Sequence, residues 1–157
     1  QLYCSPTFKP YCNHIWGNTF KSHLKQLHIL QKKAVSFITK SNFYSSSAPL
    51  FKMLQILPMY DLVTLNTLIF MYSINSKLLP DKYCDMFVLN SKFHSYSTRQ
   101  KYSYHLTNVK LTSSINSLSY VGIKLWNQLE ESIKSSSTIT RFKKLCRRDL
   151  LDNCGTS

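Results

Sequence analysis

The stretch Met59-Tyr60-Asp61-Leu62-Val63-Thr64-Leu65-Asn66-Thr67-Leu68-Ile69-Phe70-Met71-Tyr72-Ser73-Ile74-Asn75 decides the class of fold. Leu62, Leu65, Leu68, Ile69 and Tyr72 recur at helical spacing, and Val63, Phe70 and Met71 fill the sides. A helix apolar nearly all round belongs at the centre of a packed domain, because every face needs cover. Its longest apolar run, from Leu62 to Tyr72, is broken by Thr64, Asn66 and Thr67. That run falls short of the roughly 20 residues that span a bilayer, so no membrane segment is expected.

Helical patterns extend outward on both sides. In residues 19–40, Phe20, Leu24, Leu27, Leu30, Ala34 and Phe37 form one apolar stripe, with Lys21, Lys25, Lys32 and Lys33 mainly off it. Asn18 or Thr19 is placed to cap this helix. Residues 41–47 are a polar, turn-prone break, and a short helix over 48–54 carries Pro49 in its first turn. Pro58 restarts the chain, Leu78-Leu79-Pro80 ends the central helix, and 81–87 reads as one or two helical turns. Beyond them, Leu125, Trp126, Leu129 and Ile133 predict a helix over 121–134. Residues 135–138 break it and supply a cap for a last helix over 138–151, with Ile139, Phe142, Leu145, Cys146 and Leu150 on one side.

Residues 90–119 differ in character, being rich in serine, threonine, tyrosine and lysine. Tyr102-Ser103-Tyr104-His105-Leu106 and residues 115–120 alternate loosely, which predicts two short strands in a small hairpin or ribbon around 102–120. The expected architecture is a single mainly α domain over 1–157, with five or six helices and that ribbon.

Composition narrows the function. Among 157 residues, 20 Lys and Arg against 7 Asp and Glu leave a net charge of +13, and Asp61 is the only acid before Asp81. Such an excess on a folded domain points to a polyanionic partner, above all nucleic acid. Cys4, Cys12, Cys84, Cys146 and Cys154 lack CxxC spacing and read as reduced thiols. Cys12 and His14 lack further zinc ligands nearby, and a Cys–His hydrolase would need a pairing that nothing orients. The 3 glycines exclude a glycine-rich phosphate loop. Two-metal phosphoryl transfer needs clustered carboxylates, and the few acids form no Tyr-x-Asp-Asp turn. The chain is therefore expected to be non-catalytic as it stands.

The candidate contacts are cationic. Lys21, Lys25, Lys32 and Lys33 make one basic face, joined by Lys40, and Lys143, Lys144, Arg147 and Arg148 make another, joined by Arg141. Arg99 and Lys101 stand among Tyr96, Tyr102 and Tyr104, a mixture of cations and stacking rings suited to single-stranded nucleic acid. Trp16 and Trp126 lie on apolar stripes and are assigned to packing.

An ordered series of short motifs runs along nearly the whole chain. It comprises Tyr11-Cys12-Asn13-His14-Ile15-Trp16-Gly17, Leu30-Gln31-Lys32-Lys33-Ala34-Val35, Pro49-Leu50-Phe51, Ile56-Leu57, Asp61-Leu62, Phe70-Met71-Tyr72 and Leu78-Leu79-Pro80. His94-Ser95-Tyr96-Ser97-Thr98-Arg99, Ser119-Tyr120-Val121-Gly122, Lys124-Leu125-Trp126-Asn127 and Phe142-Lys143-Lys144 follow. The succession resembles the region after the palm in jockey-like, LINE-type non-LTR retrotransposon reverse transcriptases. Two positions depart from the family pattern: Leu129-Glu130 stands where Leu-Pro is common, and Val35-Ser36 where an arginine is common.

The resemblance implies a parent RNA-directed DNA polymerase, with endonuclease and palm upstream of this fragment and two divalent metal ions, Mg2+, in that palm. It implies thumb-like helices over 1–40 and a C-terminal extension over 41–157. Partners would be RNA, an RNA–DNA hybrid or DNA, and the remainder of the reverse transcriptase. The setting would be intracellular, in nucleus and cytoplasm, within a ribonucleoprotein. Gln1 in first place, where Met would stand, agrees with a piece of a longer reading frame. The competing expectation is a structural or protein-interaction domain, from a decayed element copy, that binds no nucleic acid by itself.

Overall fold

A computed structural model of the chain describes residue 17 and residues 21–41, 46–92 and 101–153. The described residues form α1 (Lys21–Thr39), α2 (Ser47–Met53), α3 (Met59–Asn75), α4 (Asp81–Cys84), a 3-10 turn (Asn90–Lys92), α5 (Thr112–Ile115), α6 (Leu118–Gln128), α7 (Glu131–Lys134) and α8 (Ile139–Asp152). The mainly helical expectation holds. The helix number exceeds the expected five or six because α4, α5 and α7 are pieces of 4 residues each.

Local chemistry sets the boundaries. Pro58 and Pro80 precede α3 and α4 with φ of −55°, the angle their rings impose. The hydroxyls of Ser117 and Thr138 accept from the backbone N–H groups of Tyr120 and Arg141, each at 3.3 Å, and so cap α6 and α8. Helices α1, α2 and α3 all stop at a left-handed residue, Lys40, Gln55 and Lys77, with φ between 50° and 55°. After each, a backbone N–H reaches back to the last turn: Ser41 to Ser36 O, Ile56 to Phe51 O and Leu78 to Ser73 O.

Helix α3 is the centre, as its sequence predicts: every residue from Met59 to Ile74 is buried or half-buried. It packs against α1, α6 and α8. Its first half meets Leu24 of α1 through Met59 and Val63. Its second half enters the larger core, where Leu68, Met71 and Tyr72 meet Ile123 and Trp126 of α6 and Phe142 and Cys146 of α8. The Tyr72 and Phe142 rings stack at 4.4 Å, and Trp126 tilts onto Phe142 at 6.0 Å. The Tyr72 hydroxyl donates to Ser136 O at 2.8 Å, so the buried phenol keeps a partner. Gly122 lets α6 approach α3: a Cβ there would lie 2.9 Å from Met71 Sδ.

The predicted ribbon around 102–120 is not formed. Among the described residues there is one isolated antiparallel bridge, Leu89 to Tyr104. The extended segment pairs backward, with Asn90 N–H donating to Ser103 O at 3.0 Å and His105 N–H to Val88 O at 2.7 Å. Of the expected second strand, 115–120, Ile115 ends α5 and residues 118–120 open α6. The reason is Asn127. Its Oδ1 accepts from Tyr104 N–H at 3.2 Å and its Nδ2 donates to Tyr104 O at 3.0 Å. One side-chain amide thus takes the edge a second strand would need, and Ser117 starts a helix in its place. The expected 121–134 helix is also split, because Leu129 and Glu130 are extended, with ψ of 143° and 140°.

The α1 stripe does not mark the buried face. Leu24 of that stripe is buried, but Leu27, Leu30 and Phe37 are exposed, and Phe20 lies outside the described residues. The inward face is Leu24, His28, Gln31 and Val35. Two polar residues lie there: Gln31 Nε2 donates to Leu57 O at 2.8 Å and His28 lies against Phe51 and Tyr60, while Gln31 Oε1 and His28 Nδ1 are buried without a hydrogen-bond partner among the described residues. Hydrophobicity alone cannot register that kind of inward face.

Two phenylalanines should therefore behave oppositely. Phe142→Ala, at 0% exposure, should lose about 3–5 kcal/mol in a denaturant melt. Phe37→Ala, at 85% exposure, should stay within about 0.5 kcal/mol. Glu130 has φ of −63° after an extended Leu129, a conformation proline adopts without strain. Glu130→Pro is expected to raise stability by about 0.4–1 kcal/mol in the same assay; a loss would refute this account of the α6–α7 break.

Candidate nucleic-acid interface

Charge is distributed by helix. Helix α1 contains Lys21, Lys25, Lys32 and Lys33 and no Asp or Glu. Lys25, Lys32 and Lys33 are exposed; the Lys21 side chain lies outside the description. Lys25 and Lys32 are two turns apart and share a face, while Lys33 points about 100° further round. On α8, Arg141, Lys143, Lys144, Arg147 and Arg148 are all exposed. Arg141, Lys144 and Arg148, at spacings of three and four, make one outward row.

These cations are poorly neutralised. Among the described residues the ion pair is Lys134 to Glu131, at 3.2 Å, and it involves none of these cations. Asp61, the sole acid of the front half, is half-buried in the first turn of α3, where burial raises its carboxyl above the ordinary value.

The two faces are tied to one loop. The segment from Leu54 to Pro58 joins α2 to α3, and α1 holds it through Gln31 to Leu57 O. From the other side, Arg147 Nη2 of α8 donates to Gln55 O at 2.8 Å. Gln55 and Leu57 are two residues apart, so these anchors are separated by at most roughly 7 Å of chain. Lys52, exposed on α2 just before the loop, adds a cation that sequence reasoning passed over. Nothing in its periodicity marks it; only the joining of α1 and α8 beside it does. Arg147 itself has a structural task, which separates it from the other α8 cations.

The third predicted patch is only partly available. Arg99 and Tyr96 lie outside the described residues. Lys101 is half-buried with its ammonium 5.9 Å from the Tyr102 ring centroid, and Tyr102 is exposed. Tyr104 is withdrawn into the core, so one exposed ring is described where three were expected.

Other chemistry is sparse among the described residues. No group of three or more His, Cys, Asp or Glu side chains is placed to hold a metal ion, and no helix is long and apolar enough to cross a membrane. Cys12, His14 and Trp16 lie outside the description. Trp126 is buried, as assigned. Cys146 is buried and its thiol is pushed up to about 12, by burial and then by Asp149, so it stays protonated and unreactive. A half-open cleft of about 330 Å³ lies between Val88, His105, Val109, Tyr120 and Ile123, with His105 Nδ1 3.1 Å from Asn90 Oδ1.

No protein family, curated protein or solved structure matches the chain.

His28 gives a measurable handle on α1. Burial, and then the charge of Lys32, hold its imidazole below the ordinary 6.5. The folded state therefore binds this proton less readily than the unfolded chain does. The resulting stability is present above pH 6.5 and is lost as pH falls through the lower folded-state value. Thermal melts between pH 7.5 and pH 5, taken as roughly a span around that ordinary value, should show stability declining toward acid, and His28→Gln should flatten part of that decline. An unchanged slope would mean that His28 is equally protonated in both states.

Proposed function

We propose that the chain is a non-catalytic nucleic-acid-binding part of a non-LTR retrotransposon reverse transcriptase, with residues 1–40 thumb-like and 41–157 a C-terminal extension. It braces template–primer or target nucleic acid by phosphate contacts, taking RNA, an RNA–DNA hybrid or DNA. The upstream palm, carrying two Mg2+ ions, supplies the chemistry, and the assembly works as an intracellular ribonucleoprotein in cytoplasm and nucleus. The observation that carries this reading is the attachment of two cationic helices, α1 without an acid and α8 with Asp149 and Asp152 in its last turn, to one short loop. Lys25, Lys32 and Lys33 on one side and Lys143, Lys144 and Arg148 on the other then act on a single polyanion, with Lys52 between. Such contacts give affinity without sequence choice.

The helix break at Leu129 and Glu130 also favours the retroelement assignment. Its backbone suits the proline common at that place in the family that the motifs resemble. A second reading has its own observation: Phe51, Tyr72, Gly122, Trp126, Asn127 and Phe142, all from those motifs, are packing or clamping residues. A structural or protein-interaction domain would need the same set.

The discriminating experiment is binding to an RNA–DNA hybrid across salt concentration. Log affinity should fall steeply with log salt, by about 0.9 per neutralised phosphate as for B-DNA. Replacing Arg141, Lys144 and Arg148 by alanine should reduce that slope by about 2–3, with the thermal midpoint unchanged. Arg147→Ala should lower the midpoint as well, since it frees Gln55 O. No binding at low salt by a folded sample would leave the structural reading.

A further inference from the structure

Helix α1 carries two seams. Leu24, His28, Gln31 and Val35 are turned toward the rest of the fold, while Leu27, Leu30, Ala34 and Phe37 are exposed. The second set is spaced three, four and three, the a and d positions of a heptad. Leu30 is 60% exposed and Phe37 85%, values unusual for large apolar side chains forming one row. Lys33 occupies the flanking g position, and Lys40 follows at the helix end. Lys25 and Lys32 point to the other side of the helix.

We propose that this row docks an amphipathic helix of another polypeptide, apolar at matching heptad positions and bearing Glu or Asp on its flanks. Ala34 in the middle of the row permits close approach of the incoming backbone. Flanking lysines select carboxylates at the facing e and g positions, as in paired coiled coils. Charge argues against a second copy: the row is flanked by Lys33 and Lys40 and α1 has no acid to face them, so pairing it with itself brings like charges together. Since the row and the Lys25–Lys32 face are on different sides, a docked helix leaves that cationic face open.

The test uses the full chain and two designed 21-residue helical peptides, about six turns long, with Leu at a and d. One has Glu at e and g, the other Lys. The Glu peptide should bind at least ten-fold tighter, by fluorescence anisotropy. Phe37→Ser and Leu30→Ser should each weaken it ten-fold or more, with no change in the thermal midpoint. Lys33→Glu with Lys40→Glu should reverse the preference between the peptides. Equal affinity for both peptides, or no binding by a folded sample, overturns the proposal. So does a dimer in sedimentation that Phe37→Ser dissolves, which would assign the row to a second copy. Binding to phosphatidylserine vesicles that Phe37→Ser abolishes, without peptide binding, would assign it to a lipid surface and equally overturn it.

Discussion

The stack of Tyr72 on Phe142, with Trp126 against the second ring, is the contact on which the remaining packing rests. It joins α3 to α6 and α8, which lie more than forty residues further along the chain, around one buried pair. Tyr72 also anchors the chain just before α8 through Ser136 O, which sets where the last helix starts. Once α8 is placed, Arg147 reaches Gln55 O and closes the α2–α3 loop. Gly122 completes the arrangement, since a Cβ there would come within 2.9 Å of Met71 Sδ and that side chain would have to move.

Two interiors are strung along one helix. The first half of α3 meets α1 through a small cluster, whereas the second half sits in a much larger core. Part of the α1 contact is polar, through Gln31 and the half-buried His28. Such contacts are weaker per area than the aromatic core, because neutral hydrogen bonds contribute only about 1 kcal/mol net. The α1 side is thus the less firmly held part of the fold, and it bears exposed lysines and the exposed apolar row.

Charge and packing are segregated by helix face rather than by region. On α8 one side enters the core through Phe142 and Cys146, and the other carries the cations. A +13 chain tolerates this because the cations project outward, where water screens their mutual repulsion.

Much was legible in the sequence alone. The 59–75 pattern determined a central buried helix, since no other arrangement covers an element apolar all round. Pro58, Pro80 and Thr138 marked helix starts through fixed φ and a side-chain acceptor, which are local effects. The basic character of α1 and α8 followed from residue type. Tertiary structure decided what depends on partners distant in the chain. Tyr104 is core rather than a stacking ring because Phe87 lies against it and Asn127 grips its backbone. Residues 118–120 open a helix rather than form a strand because that same amide occupies the pairing edge. Arg147 holds a carbonyl 92 residues away, a contact no local window shows. The buried seam of α1 was chosen by the hydrogen-bond acceptor at Leu57 and the rings beside His28, which lie outside any local window. Periodicity reports which faces of a helix are apolar; only the neighbours determine which of them is covered.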